Sequence, residues 1–196
     1  MADLINVLGI SGSLRAKSYN TALLQHARRL APGGMTIDVA SIRDIPQYDG
    51  DVEERGFPAP VIAFREKFRR ADALLVATPE YNFSIPGVLK NVFDWLSRPL
   101  DQTITHGKPT AIMGAGGRLG SARAQYHLRQ VCGCLGMLPV SRPEVFVVNA
   151  WEKMSPDGVI RDPAIETQIG ELLAALAHWV GFVRCGSARP EERELG

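Results

Sequence analysis

The sequence predicts an α/β domain in which helices cover both faces of a parallel sheet. Five short apolar segments alternate with five segments of helical periodicity along the 196 residues. The first apolar segment, residues 4–10, is almost unbroken, which is typical of a strand buried on both faces. Strands and helices that alternate in this way form parallel sheets with right-handed crossovers, so few topologies remain open.

The strands are predicted from runs of apolar, mainly branched residues. The first is expected at the centre of the sheet, and the second, with only Ile37 and Val39 on one side, at its edge. Predicted strands cover residues 4–10, 35–40, 73–78, 109–113 and 144–148.

The helices are predicted from apolar residues that recur every three or four positions, with proline or glycine at their ends. In the second helix, Phe64 and Phe68 are expected to point inward and Arg65 outward. The closing helix is expected to bury Ile165, Ile169, Leu172, Leu173, Leu176 and Val180. Predicted helices cover residues 20–30, 61–70, 87–96, 121 to about 135, and 163–182, with Ser121 as the cap of the fourth.

Residues 41–60 form a long acidic stretch without a clear period, and it carries Tyr48 and Phe57. We predict a solvated connection. The alternatives are a lid over a flat ligand or a contact with a partner subunit, because loops of this length in compact domains are often functional.

Composition indicates a globular protein and restricts its partners. Apolar residues make up 45% and charged residues 22%, and the formal net charge is +1, so neither nucleic acid nor an anionic membrane is expected as the main partner. Of the three cysteines, Cys132 and Cys134 fall on different helical faces, and no histidine spacing suggests a metal site. No signal peptide or membrane span is evident, and we expect the cytoplasm. We predict one domain at residues 1–183 and a charged tail at 184–196.

The loop after the first strand has the composition of a phosphate site. Gly12 allows a close backbone approach, Ser11, Ser13, Ser18 and Asn20 offer polar side chains, and Arg15 offers a planar cation. A helix that begins near Asn20 would also point its first amides into the loop.

Several kinds of phosphate loop are excluded by their missing residues. A nucleotide-hydrolysing loop needs Gly-Lys-Ser/Thr, but Ala16 precedes Lys17-Ser18. A dinucleotide fingerprint needs a third glycine, and a phosphatase needs a cysteine that this loop lacks. Two interpretations remain: a loop that binds a phosphate monoester without cleaving it, and a turn of small residues with a solvated arginine.

Two further loops are unusual, and both follow predicted strands. Residues 79–87 are stiffened by prolines and carry Tyr81 and Phe83, and residues 114–120 have a glycine-rich backbone with Arg118. In the flavodoxin-like order 2-1-3-4-5, the leading choice for five strands, the switch point lies between strands 1 and 3. The first two loops would meet there with the third beside them. A phosphate cradle next to two loops that frame a flat ring suggests FMN.

Two segments resemble the signature stretches of the NADPH-dependent FMN reductase family, which includes quinone, azo-dye and chromate reductases. They are Gly-Ser-Leu-Arg-x-x-Ser-Tyr-Asn at residues 12–20 and Pro-Glu-Tyr-Asn-x-Ser-Ile-Pro-Gly-Val-Leu-Lys-Asn at residues 79–91. The resemblance implies noncovalent FMN, NADPH as hydride donor, a small acceptor, and a homodimer or homotetramer. It implies cofactor contacts at Ser11, Ser13, Leu14, Arg15, Ser18, Tyr19, Asn20, Pro79, Glu80, Tyr81, Asn82, Ala115, Gly116 and Gly117.

The third loop departs from the family because relatives often carry a serine near Ala115 and Gly116, so backbone contacts are expected there. We name no catalytic side chain, since the flavin would perform the chemistry. Arg118 is a candidate to bind the NADPH 2′-phosphate, and the alternative is that it is a solvated loop residue.

A flavodoxin-type electron carrier is the competing function, but the nearly neutral charge favours a reductase. An oligomer interface is expected at residues 87–96 and 41–60, with packing of Val88, Phe93, Trp95 and Leu96 in the monomer core as the alternative.

Overall fold

Four long parallel strands organise the structure, which is a computed structural model that describes residues 4–187. They are β1 (Ile5–Ser11), β2 (Met35–Ala40), β3 (Ala73–Ala77) and β4 (Pro109–Ala115), and two short strands follow, β5 (Leu138–Pro139) and β6 (Val145–Val147). The sheet order is β2-β1-β3-β4-β5, and β6 also pairs with β4. The predicted flavodoxin-like topology is therefore confirmed, with β2 at one edge.

The fifth position of the sheet differs from the prediction of one strand at 144–148. β5 pairs with Pro109 and Thr110 at the start of β4, whereas β6 pairs with the segment from Met113 to Ala115 at its end. The chain leaves the sheet between them and passes through Pro143, which has no N–H to donate. A two-residue strand such as β5 is too short for a periodic pattern to reveal.

Helices cover both faces of the sheet, and most of their bounds agree with the predictions. The helices are α1 (Tyr19–Arg29), α2 (Gly50–Glu54), α3 (Ala59–Arg70), α4 (Gly87–Leu96), α5 (Ala122–Cys134), α6 (Ala150–Lys153) and α7 (Pro163–Ser187), with a 3-10 turn at Leu100–Gln102. The short helices α2 and α6 were not predicted.

The sheet separates two apolar layers, and successive residues of each strand contribute to opposite layers. In β3, Leu75 packs with residues of α1 and α7, while Leu74 and Val76 pack with residues of α3, α4 and α5. All five residues of β3 are completely buried, which explains its unbroken apolar sequence.

Arg65 was predicted to point outward, and this is wrong. Only 5% of the residue is exposed, and its Nη1 donates to the carbonyls of Trp95 at 2.9 Å and Leu96 at 3.3 Å. These carbonyls close α4, where a cation is favoured because the last carbonyls of a helix lack intrahelical partners. Burial lowers the pKa of Arg65 from its usual value.

Residues 41–60 are held against α4, in place of the predicted solvated connection. Pro46 O accepts from Asn91 Nδ2 at 2.7 Å and from Trp95 Nε1 at 2.8 Å. The rings of Tyr48 and Phe57 meet the Trp95 ring edge to face, at centroid distances of 5.1 and 5.7 Å. Both aromatic residues are therefore used within the chain.

The apolar residues of α4 fill the core of the monomer. Phe93 and Trp95 are 1% exposed and Leu96 is fully buried, while Val88 is partly buried against the same layer. The apolar surplus that suggested an interface on this helix is thereby accounted for within one chain.

The closing helix α7 buries the six predicted residues against the sheet. Residues Pro163–Gly186 are long and apolar enough to cross a membrane by length and composition, but this inner face belongs to the core of the domain. The helix also extends past residue 183, where the tail was predicted to begin, and Arg184 pairs with Asp72 at 2.8 Å. Residues 188–196 of that predicted tail lie outside the described residues.

Candidate functional site

The ends of β1, β3 and β4 bring the three unusual loops together at one edge of the sheet. Ser11 pairs with Ala77, and Ala77 pairs with Met113, so the strands end side by side. Gly12 N donates to Ala77 O at 2.9 Å, and Thr78 N donates to Met113 O at 3.0 Å. This edge is the predicted switch point of the fold.

At the start of the first loop, Gly12 occupies a position where a side chain would be too close to its neighbours. A Cβ there would lie 2.9 Å from Thr78 Oγ1, which is closer than real Cβ contacts, and 3.1 Å from Leu89 Cδ2, which is tighter than most of them. The absence of a side chain therefore lets the loops after β1 and β3 approach each other.

Hydroxyl groups order the first loop from within. Ser11 Oγ accepts from Thr21 Oγ1 at 3.0 Å and from Ser13 N at 3.2 Å, and Ser13 Oγ accepts from Arg15 N at 3.3 Å. Thr21 was not predicted as part of this site. Because a hydroxyl that accepts still carries its own proton, Ser13 can also donate to a ligand.

Helix α1 begins directly behind this loop. Ser18 is its N-cap and accepts from Thr21 N at 3.3 Å, and the first intrahelical bond runs from Ala22 N to Ser18 O. The preceding amides, those of Tyr19 and Asn20, have no carbonyl one turn earlier in the helix to accept them. Together with the exposed Arg15, these amides are the kinds of donor that an anion site at a helix N-terminus uses.

Asn20 has a different role from the predicted phosphate contact. Its side chain is 3% exposed, Nδ2 donates to Ala115 O at 3.0 Å, and Oδ1 accepts from Ala115 N at 2.9 Å. The amide group is thus committed to the end of β4, and it joins the first loop to the third. Only the backbone N–H of Asn20 remains for a phosphate.

The second loop contains a tight two-residue turn. Tyr81 and Ser84 exchange two backbone hydrogen bonds of 3.0 Å, and the residues between them, Asn82 and Phe83, have φ of +49° and +68°. Two successive left-handed residues define the turn that suits a hairpin. The turn leaves Tyr81 51% exposed and Phe83 63% exposed.

Glu80, a predicted cofactor contact, caps α5 with its side chain. Its Oε2 accepts from Arg123 N at 3.0 Å and from Ala124 N at 3.4 Å, and its Oε1 pairs with the Arg123 guanidinium. That guanidinium also lies 3.7 Å above the centre of the Phe83 ring. Ser121, the predicted cap, makes no capping bond and has φ of +69°. The carboxylate of Glu80 therefore fixes the second loop to α5.

The third loop is also rigid, because its backbone is bonded to the segment after β6. Gly116 N donates to Val147 O at 3.1 Å, Ala150 N donates to Gly116 O at 2.9 Å, and Asn149 N donates to Gly117 O at 2.9 Å. A ring placed here could meet the open face of Gly117, whereas a Cβ on Gly116 would lie 3.2 Å from Ser121 N. The predicted backbone contacts at Ala115 and Gly116 compete with these internal bonds.

The arrangement fits a phosphorylated planar molecule better than a metal or a nucleophile. The donors at the first loop are hydroxyl, guanidinium and amide groups, all of which suit a phosphate monoester. Among residues 4–187 no group of three His, Cys, Asp or Glu side chains could hold a metal. Burial raises the pKa of the Cys132 thiol to about 12, so this cysteine is not a thiolate at neutral pH.

Two cavities flank the first loop. One, of about 210 Å³, lies between Lys17 and a turn that includes Asp157. The other, of about 270 Å³, lies between Arg15 and Arg43. Arg43 donates through Nη2 to Leu14 O, a contact that the sequence analysis missed because the two residues belong to different loops.

Comparison with known proteins finds one family and many similar chains. Residues 5–152 match the family model described as NADPH-dependent FMN reductase. An NAD(P)H-dependent FMN reductase from Pseudomonas aeruginosa is 52% identical over 185 residues, which cover 94% of this chain and 100% of that protein. A quinone reductase from Escherichia coli is 41% identical over 179 residues, which cover 89% of this chain and 95% of that protein.

Solved structures give the same result. The flavoenzyme FerB, an NAD(P)H:acceptor oxidoreductase from Paracoccus denitrificans, superposes with a TM-score of 0.83 at 32% identity, covering 91% of this chain and 98% of FerB. A structure of RosB with a bound riboflavin-phosphate intermediate has a TM-score of 0.75 at 16% identity, covering 98% of this chain and 89% of RosB. At that identity the likeness shows the fold alone.

Proposed function

Because the chain belongs to the NADPH-dependent FMN reductase family, we propose that it transfers hydride from NADPH to bound FMN and passes two electrons to a small acceptor such as a quinone. One NADPH and one proton reduce one quinone to the hydroquinone. FMN supplies the hydride chemistry when it is bound, and the protein supplies binding and orientation. The observation that carries the proposal is the meeting of a phosphate cradle with two rigid loops at the switch point.

Each loop has its own task in this proposal. Ser13, Ser18, Arg15 and the first amides of α1 hold the phosphate. The loop from Pro79 to Asn82 and the backbone of Gly116 and Gly117 bound the flat ring. The proposal assigns no side chain as a general acid or base.

The test is reduction of the FMN-loaded protein in a stopped-flow mixer. We expect NADPH to bleach the flavin absorbance and benzoquinone to restore it without any protein partner. A flavin that NAD(P)H does not reduce, but that accepts single electrons from a separate reductase, would establish the electron-carrier function instead.

Arg118 provides a test of the hydride donor. It is exposed on the loop between Gly117 and Gly120, where it is available to the 2′-phosphate that distinguishes NADPH from NADH. We expect NADPH to be the better donor and Arg118→Ala to reduce the ratio of the two kcat/KM values by roughly tenfold, as for one charged hydrogen bond. An unchanged ratio would remove Arg118 from the donor site. Arg70→Ala, on the exposed face of α3, is the control.

We further propose a homodimer or homotetramer in the cytoplasm. Three large side chains on the second loop and α5, Tyr81, Phe83 and Tyr126, are each about half exposed or more, and exposed aromatic surface of this kind favours an interface. The cysteines of the described residues are all free thiols, in keeping with a reducing compartment.

The oligomer is tested by light scattering on the FMN-loaded protein at micromolar concentration. We expect a mass of two or four times 21.4 kDa, and a smaller mass for Phe83→Asp because a charge would be buried at the interface. A monomer mass for the unaltered protein would exclude the assembly.

A further inference from the structure

The cavity between Arg15 and Arg43 adjoins the phosphate cradle and has a different composition from its neighbour. It is lined in part by Ser11, Ser13 and Arg15, which also belong to the cradle, and it extends to Ser41 and Arg43 beyond β2. A ligand phosphate held in the cradle would therefore have this space next to it.

The two cavities that flank the first loop differ in the charges of their lining residues. None of the eleven residues that line the Arg43 cavity is acidic, while two are arginines. The cavity on the other side contains Asp157, whose pKa is lowered, chiefly by the hydrogen bond from Ser155. That cavity also contains Lys17, so its opposite charges offset, whereas the Arg43 cavity has two cations and no carboxylate and is the side that favours a second phosphate.

Arg43 is held in place but retains donors for a ligand. One guanidinium nitrogen donates to Leu14 O, and its backbone N–H donates to Ser41 Oγ at 3.2 Å. A guanidinium has five N–H groups, so most of them remain available. Its bond to Leu14 also places the charge directly against the first loop.

The size and the lining of the cavity suit a ligand group larger than a single phosphate. Its volume of about 270 Å³ corresponds to roughly nine water molecules at liquid density. Leu14, Val39 and Ile42 provide apolar walls, against which a base or sugar can pack. Cationic and apolar walls next to the cradle suit a second phosphate that carries a sugar and a base.

We propose that this cavity receives the adenylate part of FAD, so that the protein binds FAD as well as FMN. The inference rests on the proposed flavin site, because FAD carries the same ribityl phosphate extended by a second phosphate and adenosine. Arg43 contacts the second phosphate, and Arg15 contacts the phosphate that both flavins share.

The experiment compares the two flavins on the full chain after removal of its flavin, by quenching of flavin fluorescence. We expect the dissociation constant of FAD to lie within about tenfold of that of FMN. Arg43→Ala should weaken FAD at least tenfold and FMN less than threefold, and Arg43→Lys should restore part of the FAD affinity. Arg55→Ala, at an exposed position outside the lining of this cavity, should change neither dissociation constant.

Each other outcome overturns the inference in a distinct way. If the dissociation constant of FAD is more than a hundredfold above that of FMN, the cavity does not take adenylate, and the proposed function stands. Equal weakening of both flavins by Arg43→Ala shows that Arg43 only fastens the loop through Leu14. Binding of 2′,5′-ADP to the FMN-loaded protein that depends on Arg43, with no FAD binding, assigns the cavity to the nucleotide donor. Failure of FMN itself to bind removes the proposed function as well.

Discussion

At the scale of single residues, the proposed phosphate cradle contains Arg15, whose guanidinium carries a full positive charge. The hydroxyls of Ser11, Ser13 and Ser18 each accept a hydrogen bond from a backbone N–H two or three residues further on, which orders the loop before a ligand arrives. Neutral donors of this kind contribute less to anion binding than a guanidinium does. Arg15 is an exposed cation that lies between Ser13 and Ser18 in the same loop.

Replacement of Arg15 should therefore weaken FMN binding. We expect Arg15→Ala to raise the FMN dissociation constant about ten- to a hundredfold, corresponding to about 1.5 to 3 kcal/mol for a charged hydrogen bond. Titration by flavin fluorescence measures this, with Arg28→Ala on the exposed face of α1 as the control. Unchanged affinity would remove Arg15 from the site, and equal affinity for riboflavin and FMN would argue against any phosphate cradle.

Residue roles were hardest to predict where the partner is distant in sequence. Ser18 was predicted as a phosphate contact, and it also caps α1 through Thr21 N three residues on, a role that local rules allow but that the sequence analysis did not assign. Asn20 bonds Ala115, 95 positions away, and Glu80 bonds Arg123, 43 positions away. Motif reasoning named both residues as cofactor contacts without these bonds, because it shows which residues are polar but not which groups of the fold satisfy their side chains.

At the scale of elements, the second loop and α5 form one unit through Glu80. The carboxylate accepts from the first amides of α5, where a negative charge opposes the partial positive charge of the helix end. It is 10% exposed, so solvent weakens the interaction little. The loop that would frame the flavin ring is thereby held by a helix that contributes no predicted contact of its own.

We expect Glu80→Ala to lower the free energy of unfolding by about 1 to 2 kcal/mol, as for the loss of a helix cap. Glu80→Gln should cost less because an amide oxygen still accepts from Arg123 N. Urea unfolding measures both variants. Glu66→Ala is the matched control, since its pair with Arg69 lies on an exposed helix face and such pairs contribute little. Equal effects of Glu80→Ala and Glu66→Ala would contradict the cap.

Long elements were predicted well, and short ones were not. The bounds of β2 and α4 agree with the periodic pattern because each has enough residues to repeat it. The two residues of β5 and the four of α6 contain no full repeat, and tertiary pairing with β4 or the third loop determines them. Arg65 was misplaced because charge suggested exposure, whereas the carbonyls at the end of α4 hold it inside.

At the scale of the whole molecule, the edge of the sheet opposite the site is tied together by Asp72. Its Oδ2 accepts from Asn6 N at 2.8 Å, and its Oδ1 pairs with Arg184 of α7 at 2.8 Å. Burial acts to raise the pKa of this carboxyl, but the Asn6 bond and Arg184 outweigh it, and the pKa is lower than usual. One carboxylate therefore connects the first strand, the start of β3 and the last helix.

The lowered pKa determines how this connection depends on pH. A carboxyl whose pKa is depressed by folding stabilises the protein above its unfolded value of about 4, and the contribution is lost as pH falls through the folded value. We expect Asp72→Ala to reduce the free energy of unfolding at pH 7 by about 1 to 2 kcal/mol, and the difference from the unaltered protein to shrink below about pH 4. Asp38→Ala, at an exposed surface pair, should have little effect. A difference that stays constant from neutral to acidic pH would show that the charge of Asp72 contributes nothing.

The division of the fifth sheet position between β5 and β6 affects how readily copies of this chain aggregate through strand edges. A long unpaired strand edge is a template on which another chain can add a strand and begin an aggregate. Beyond β4 the edge consists of two residues in β5 and three in β6, placed at opposite ends and separated by a segment with a proline. Within residues 4–187, no stretch of that edge is long enough to seat an incoming strand. Self-association by strand addition is therefore directed to the β2 edge, where the exposed charges of Asp38 and its partner Lys67 oppose it.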